Sequence, residues 1–118
     1  MSKNNDSHDK SRDQYLSHKL YLERRHGNRY YNLGYMMYEG MVVKDPPTIT
    51  VNSDNLKNAI VNFNIALLFN QNDVDAKARK KDLCDKWGPN GTKQIIFSQL
   101  DLNSWKNEAR NEFKKCKC

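Results

Sequence analysis

The sequence contains no apolar run that approaches the length of a membrane span. Its first ten residues, MSKNNDSHDK, include no hydrophobic stretch of the kind that directs secretion. The second residue is Ser2, whereas N-myristoylation requires glycine at that position. These absences lead us to expect an intracellular protein, with no signal for any particular compartment.

Cysteine is also sparse, and its spacing is uninformative for metal binding. The three cysteines, Cys84, Cys116 and Cys118, form no CxxC pair. An odd number of cysteines without such a pair predicts neither a disulfide framework nor a four-ligand zinc site. We therefore expect reduced thiols and no metal centre.

The usual signatures of catalysis are missing as well. His8, His18 and His26 have no serine, cysteine or carboxylate neighbour at a recognisable catalytic spacing. The chain also has no glycine-rich loop that could hold a nucleotide phosphate. We expect no enzyme activity, no cofactor and no small-molecule substrate.

The segment Asp54–Asp73 is the only long stretch that is dense in aliphatic residues. At helical spacing its apolar residues divide into two faces, Leu56, Ala59, Ile60, Phe63, Ala66 and Leu67 on one and Val61, Ile65, Leu68 and Phe69 on the other. A helix with two apolar faces must be covered on both. We predict a central helix here, with Ser53 or Asp54 as its N-terminal cap.

Hydrophobic spacing and capping signals predict further helices on both sides of this segment, giving an all-α fold of about five helices. The predicted helices are Arg12–His26 with Gly27 at its end, Asn28 to about Gly40, Val74–Trp87 and Trp105–Lys115 with Ser104 as its cap. The connection Val42–Ser53 contains Pro46-Pro47, which excludes a helix there. Residues Thr92–Asn103 are expected to be mostly irregular.

The domain organisation follows from these elements. Residues 1–10 are polar and without periodicity, so we predict a disordered or partner-bound tail. Residues 11–118 are predicted to form one helical domain, because their length suits one modest core.

The second and third predicted helices carry a recognisable motif. Tyr30-x2-Leu33-Gly34-x2-Met37 and Ala59-x3-Phe63-x2-Ala66 follow the first-helix and second-helix patterns of large and small residues. Residues 28–87 therefore resemble a tetratricopeptide repeat, a helix-turn-helix unit of about 34 residues used in binding scaffolds. The resemblance implies an antiparallel helix pair in which Gly34 lets two backbones approach. The interval from Gly34 to Ala59 exceeds that of a standard repeat by about 13 residues, so residues 41–53 would be a long insertion.

Aromatic and methionine side chains on the second helix predict a protein-binding face. The residues expected to contact a partner are Tyr31, Tyr35, Met37 and Tyr38, with Ile95 and Phe97 from the later apolar strip. The alternative for the same rings is packing in the core. We expect a non-catalytic adaptor or accessory subunit that binds other protein chains of a larger complex.

The charge balance suggests an alternative role. The net charge is +6 and the isoelectric point is about 9.3. Two basic clusters, Arg24, Arg25 and Arg29 and then Lys77, Arg79, Lys80 and Lys81, could contact phosphates in an RNA-binding or ribonucleoprotein-associated protein. The favoured interpretation of both clusters is solvated helix faces, with RNA contact or docking to an acidic protein as the alternatives.

The C-terminal sequence KKCKC resembles the doubly prenylated tails of Rab GTPases, which attach to membranes. The resemblance covers only this tail, and the chain has no GxxxxGK[ST] loop of a GTPase. A lipid-anchored peripheral protein would rest on these cysteines alone, and we expect no membrane partner.

Overall fold

The computed structural model describes residues 2–116, with side chains from Asp13 onward. Over this part of the chain it contains four α-helices, one short π-helical segment and no strand, which confirms the predicted all-α class. The elements are α1 (Ser2–Tyr38), the π-helical segment (Glu39–Val43), α2 (Ser53–Phe69), α3 (Val74–Trp87) and α4 (Gln99–Cys116). No helix within residues 2–116 is both long and apolar enough to cross a membrane.

The predicted helix break at Gly27 does not occur, because α1 continues through this residue. Gly27 does not adopt a positive φ angle and is buried beside α2. A Cβ atom at Gly27 would lie 3.2 Å from the Cβ of Phe69. Glycine therefore permits a close helix contact here and does not end a helix. The two predicted helices are one, so the described chain has four helices and not about five.

The first residues of α1 overlap the predicted tail. Met1 lies outside the described residues, and for residues 2–12 the structure describes only the helical backbone. The disordered or partner-bound character of residues 1–10 stays a prediction.

Helix α2 lies at the centre of the fold and contacts α1, α3 and α4. It begins after Asn52, whose side-chain oxygen accepts a 2.9 Å hydrogen bond from the backbone N–H of Asn55, one residue before the predicted caps. The first predicted apolar face is covered, whereas on the second face Val61 and Ile65 are buried but Leu68 is 41% exposed. The buried residues are Leu56, Ala59, Ile60, Val61, Phe63, Asn64, Ile65 and Ala66.

The closest approach of α1 to α2 is at Gly34. A Cβ atom at Gly34 would lie 2.8 Å from Cε1 of Phe63 and 3.2 Å from the carbonyl oxygen of Ala59. Gly34 therefore allows the ring of Phe63 to lie against the α1 backbone. Leu33, the neighbouring large residue of the motif, is 38% exposed.

Helix α3 has the predicted bounds, Val74–Trp87. The side chain of Asp73 accepts a 3.0 Å hydrogen bond from the backbone N–H of Ala76 and caps its first turn. The backbone N–H of Gly88 donates to the carbonyl of Cys84 at its end.

Helix α4 begins at Gln99, well before the predicted start at Trp105. Ser98 and Asp101 form a reciprocal capping box, in which the Ser98 hydroxyl accepts from the Asp101 N–H at 3.1 Å and the Asp101 carboxylate accepts from the Ser98 N–H at 2.9 Å. The predicted irregular segment 92–103 is therefore irregular only up to Ser98.

Side chains from the connections on both sides of α2 and α3 pack on the core, Phe97 fully buried and Ile49 and Val51 partly buried. The ring of Phe97 lies 5.1 Å from that of Trp105, measured between ring centroids, and anchors the segment before α4. In the predicted insertion, the N–H groups of Thr48 and Ile49 donate to the carbonyl of Gly40 at 2.9 and 3.2 Å. The insertion thus folds back onto Gly40, at the start of the π-helical segment.

Candidate functional site

Three tyrosines on successive turns of α1 form an aromatic cluster. The ring centroids of Tyr31 and Tyr35, and those of Tyr35 and Tyr38, are each 5.9 Å apart. The guanidinium carbon of Arg79, on α3, lies 5.5 Å from the ring centroids of both Tyr35 and Tyr38. This distance is within cation–π range, so Arg79 stabilises the cluster and joins it to α3.

A buried hydrogen bond continues the link between α1 and α3. The Tyr38 hydroxyl donates to the carboxylate of Asp82 at 2.6 Å, and Lys86 donates to the other oxygen at 2.9 Å. Burial, and then the bond to Asp82, raise the pKa of Tyr38 to about 12. Burial acts to raise the pKa of Asp82, but the hydrogen bonds from Tyr38 and Lys86 outweigh it and lower that pKa. At neutral pH the arrangement is a neutral phenol bound to an ionised carboxylate, which stabilises the helix contact.

The predicted partner-binding residues do not form one open face. Tyr38 and Phe97 are only 6% and 1% exposed and are not available to a partner in this structure. Tyr31, Tyr35 and Met37 are partly buried against the core. Ile95 is 63% exposed, in the irregular segment before α4. Tyr38 and Phe97 therefore belong to the packed core.

The first basic cluster is open. Arg24, Arg25 and Arg29 are exposed on α1.

The second basic cluster is divided among different surroundings. Arg79 packs on the tyrosines, and Lys81 forms a 2.6 Å ion pair with Asp85. Lys77 is exposed, whereas Lys80 is partly buried and lines a cleft between α2, α3 and α4. The four residues thus do not form one phosphate-binding surface.

Helix α1 carries an exposed apolar row that faces away from α2, which we call the outer face. Its large apolar residues are Tyr21, Leu22, Leu33 and Met36, with exposed fractions of 57%, 38%, 38% and 60%. Arg25 and Arg29 lie among them at helical spacing, and no carboxylate lines this surface. The sequence reasoning missed the outer face because it divided α1 at Gly27. The spacing of these residues shows only in a continuous helix.

A second apolar row continues the core-facing side of α1 toward its N-terminus, and we call it the inner stripe. Leu16 and Leu20 lie in line with Gly27 and Gly34, which pack on α2. Helix α2 ends at Phe69, beside Gly27, so it does not reach Leu16 and Leu20. These two leucines are 44% and 51% exposed.

The end of α4 reaches α1 through one hydrogen bond, and aromatic contacts join both helices to Phe69 of α2. The Tyr30 hydroxyl and the Cys116 sulfur are 2.9 Å apart, and this hydrogen bond, followed by burial, raises the pKa of Tyr30 to about 12. The ring of Phe69 lies between those of His26 and Phe113, with centroid distances of 5.6 and 4.8 Å. The lipid-anchor alternative depends on Cys116 and Cys118. Cys118 lies outside the described residues, and Cys116 is hydrogen-bonded to Tyr30.

Within residues 13–116 no group of three His, Cys, Asp or Glu side chains is gathered to hold a metal ion. Comparisons with protein-family models, with curated proteins and with solved structures found no match for this chain. The tetratricopeptide resemblance therefore stays a prediction that rests on the residues quoted for it.

Proposed function

We propose that this protein is a non-catalytic adaptor or accessory subunit, and that it binds another protein chain through the N-terminal half of α1. The inner stripe is the observation that carries this proposal. Leu16 and Leu20 continue a core-facing row beyond the end of the helix that covers the rest of that row. Covering both leucines with a partner would remove apolar area from water without rearranging the core.

The neighbouring side chains extend the apolar surface. Tyr15, next to Leu16, is 67% exposed, and Tyr21, next to Leu20 but on the outer face, is 57% exposed, so the two rings widen the apolar surface around the helix. Single exposed apolar residues need no explanation, but a contiguous group of them marks an interaction surface. Large residues on successive helical turns suit packing against a partner helix or groove.

The charges on α1 indicate what the partner carries. Arg24, Arg25 and Arg29 are exposed, and the outer face has no carboxylate between Tyr21 and Met36. Complementary potentials favour the correct partner and speed its association. Arg24 lies one helical turn from Leu20 at the edge of the inner stripe, whereas Arg25 and Arg29 lie on the outer face. The proposed partner is therefore an amphipathic segment of another protein with an acidic group beside its apolar side chains.

RNA binding is the second candidate, because the same three arginines are exposed together beside Tyr21. Arginine and an exposed ring are the groups that contact phosphates and stack on bases. The second basic cluster adds little to this surface, since Arg79 and Lys81 already have partners within α1 and α3.

The test is purification of the full tagged chain from its own cells, with and without nuclease. We expect a stoichiometric protein partner that resists nuclease and is lost from the double variant Leu16→Glu/Leu20→Glu. The matched control is Val74→Glu/Leu100→Glu, which adds the same charge at side chains that are 71% and 79% exposed on other helices. The control variant should keep the partner.

Two results would overturn the proposal. Loss of the partner on nuclease treatment would favour the RNA candidate. Equal retention by both double variants would show that the inner stripe is not the binding surface.

A further inference from the structure

A cleft of about 220 Å³ lies where α2, α3 and α4 meet, away from the outer face of α1. Its polar lining residues are Asn64 from α2, Lys80 from α3, and Lys106 and Arg110 from α4. Leucine and alanine side chains form the rest of its wall, and none of the lining residues is acidic.

Asn64 brings an unpaired donor to this cleft. Only 7% of Asn64 is exposed, and among the described residues all the other buried core residues are hydrophobic or glycine. Its Nδ2 group is buried and has no hydrogen-bond partner. Buried polar groups are almost always paired, and a half-turn of this side-chain amide would bring its unpaired donor to the wall of the cleft that Asn64 lines.

The cations of the cleft are also uncompensated. Lys80 and Lys106 form no ion pair within the described residues, and Nη1 of Arg110 donates only to the neutral side chain of Asn107, at 3.1 Å. Lys106 and Arg110 are four residues apart in α4, where like charges repel.

The surroundings of Lys80 show the same excess of positive charge. Burial, and then the charge of Lys106, lower the pKa of Lys80. Cys84 is close to both lysines, but burial raises the pKa of its thiol, which is therefore neutral at physiological pH. No neighbouring group supplies the negative charge that this cleft lacks.

We propose that the cleft binds a phosphate group, either as inorganic phosphate or as a phosphate monoester. A phosphate dianion offers several strong acceptor oxygens, which can receive hydrogen bonds from the Asn64 amide and from the cationic groups together. A single carboxylate would neutralise only one of the three cations. The site is separate from the proposed partner surface on α1, and neither depends on the other.

Isothermal titration calorimetry with the full chain near neutral pH tests this site directly. The two ligands are inorganic phosphate and phosphoserine, each compared with sodium chloride at equal ionic strength. We expect saturable binding of one ligand per chain, and a loss of about tenfold or more in affinity for Lys106→Met and for Asn64→Leu, because each variant removes a charge-assisted contact.

The matched control is Lys77→Met, which removes the same charge from an exposed position on α3 that does not line the cleft. This variant should bind as the wild type does. Lys106 is exposed, so its replacement keeps the test valid even if Asn64→Leu fails to fold. A second readout is the side-chain amide signal of Asn64 in an NMR titration, which should shift with phosphate and not with chloride.

The relative affinities identify the source of the phosphate. Tighter binding of phosphoserine would indicate a monoester, and tighter binding of inorganic phosphate would indicate the free ion. The proposal is overturned if neither ligand binds saturably at millimolar concentration, or if Lys77→Met weakens binding as much as Lys106→Met does.

Discussion

The Tyr38 hydroxyl donates a 2.6 Å hydrogen bond to the Asp82 carboxylate and so joins α1 to α3, two helices that otherwise touch only slightly. We expect Tyr38→Phe to lower the free energy of unfolding by about 2 kcal/mol, because it removes a charge-assisted bond and leaves the carboxylate with one donor fewer. Urea unfolding measures this loss. The control is Tyr35→Phe, which keeps a ring beside Arg79 and should have a smaller effect. Equal losses would show that the bond contributes nothing of its own.

The raised pKa of Tyr38 also predicts how stability changes in alkali. The ordinary pKa of 10.0 is raised to about 12 in the folded protein, so the folded state holds this proton more tightly than the unfolded state. The stabilisation is complete below about pH 10 and is lost as the pH rises toward about 12. In Tyr38→Phe the free energy of unfolding should fall less steeply across this range than in the wild type. Parallel profiles would contradict the assignment.

Replacing Gly34 tests the contact between α1 and α2. Alanine would gain about 1 kcal/mol of helix propensity, but its Cβ would lie 2.8 Å from the fully buried Phe63 ring. Overpacking of a core costs about 1–3 kcal/mol, so we expect Gly34→Ala to be destabilising overall. In a Phe63→Leu background the same replacement should become neutral or stabilising. A cost that is identical in both backgrounds would rule out the steric explanation.

Phe97 and Ile95 provide a matched pair within the irregular segment before α4. Phe97 is 1% exposed and packs on Trp105, whereas Ile95 is 63% exposed. We expect Phe97→Ala to cost about 3–5 kcal/mol and Ile95→Ala to change stability by no more than about 0.5 kcal/mol. Thermal unfolding of the two variants checks this. Similar losses would mean that the segment is not anchored through Phe97.

The inner stripe should be dispensable for the stability of the isolated chain. We expect the double variant Leu16→Gln/Leu20→Gln to unfold within about 0.5 kcal/mol of the wild type, because both leucines are exposed and glutamine is a good helix former. By comparison, Leu56→Ala in the core should cost about 2–5 kcal/mol. Denaturation midpoints in urea give both values. A large loss in the double variant would show that the stripe is covered within the chain itself.

Some elements could be predicted because their signals are local. The bounds of α3 follow from the Asp73 cap and the Gly88 stop, and both act within one helical turn. The same reasoning failed at Gly27, because a glycine that ends a helix and a glycine that admits a neighbouring helix look alike in sequence. Only the position of Phe69, in another helix, decides between the two.

The start of α4 was missed although its signal is local. The capping box of Ser98 and Asp101 is readable in the sequence, but Thr92–Asn103 has too few apolar residues for their spacing to decide between a helix and an extended segment. The phosphate cleft could not be found from the sequence. Helix α2 contains Asn55, Asn58, Asn62 and Asn64, and only the packing of α3 and α4 shows that the last of them is buried beside cations.

The central place of α2 has a consequence for synthesis on the ribosome. The whole of α1 leaves the exit tunnel before α2, so its Gly34 side has nothing to pack against while only α1 has emerged. Docking can begin once the chain has emerged as far as Phe69, and the opposite side of α2 still waits for α4. A nascent chain halted before Gln99 would leave the side of α2 that α4 covers exposed to chaperones.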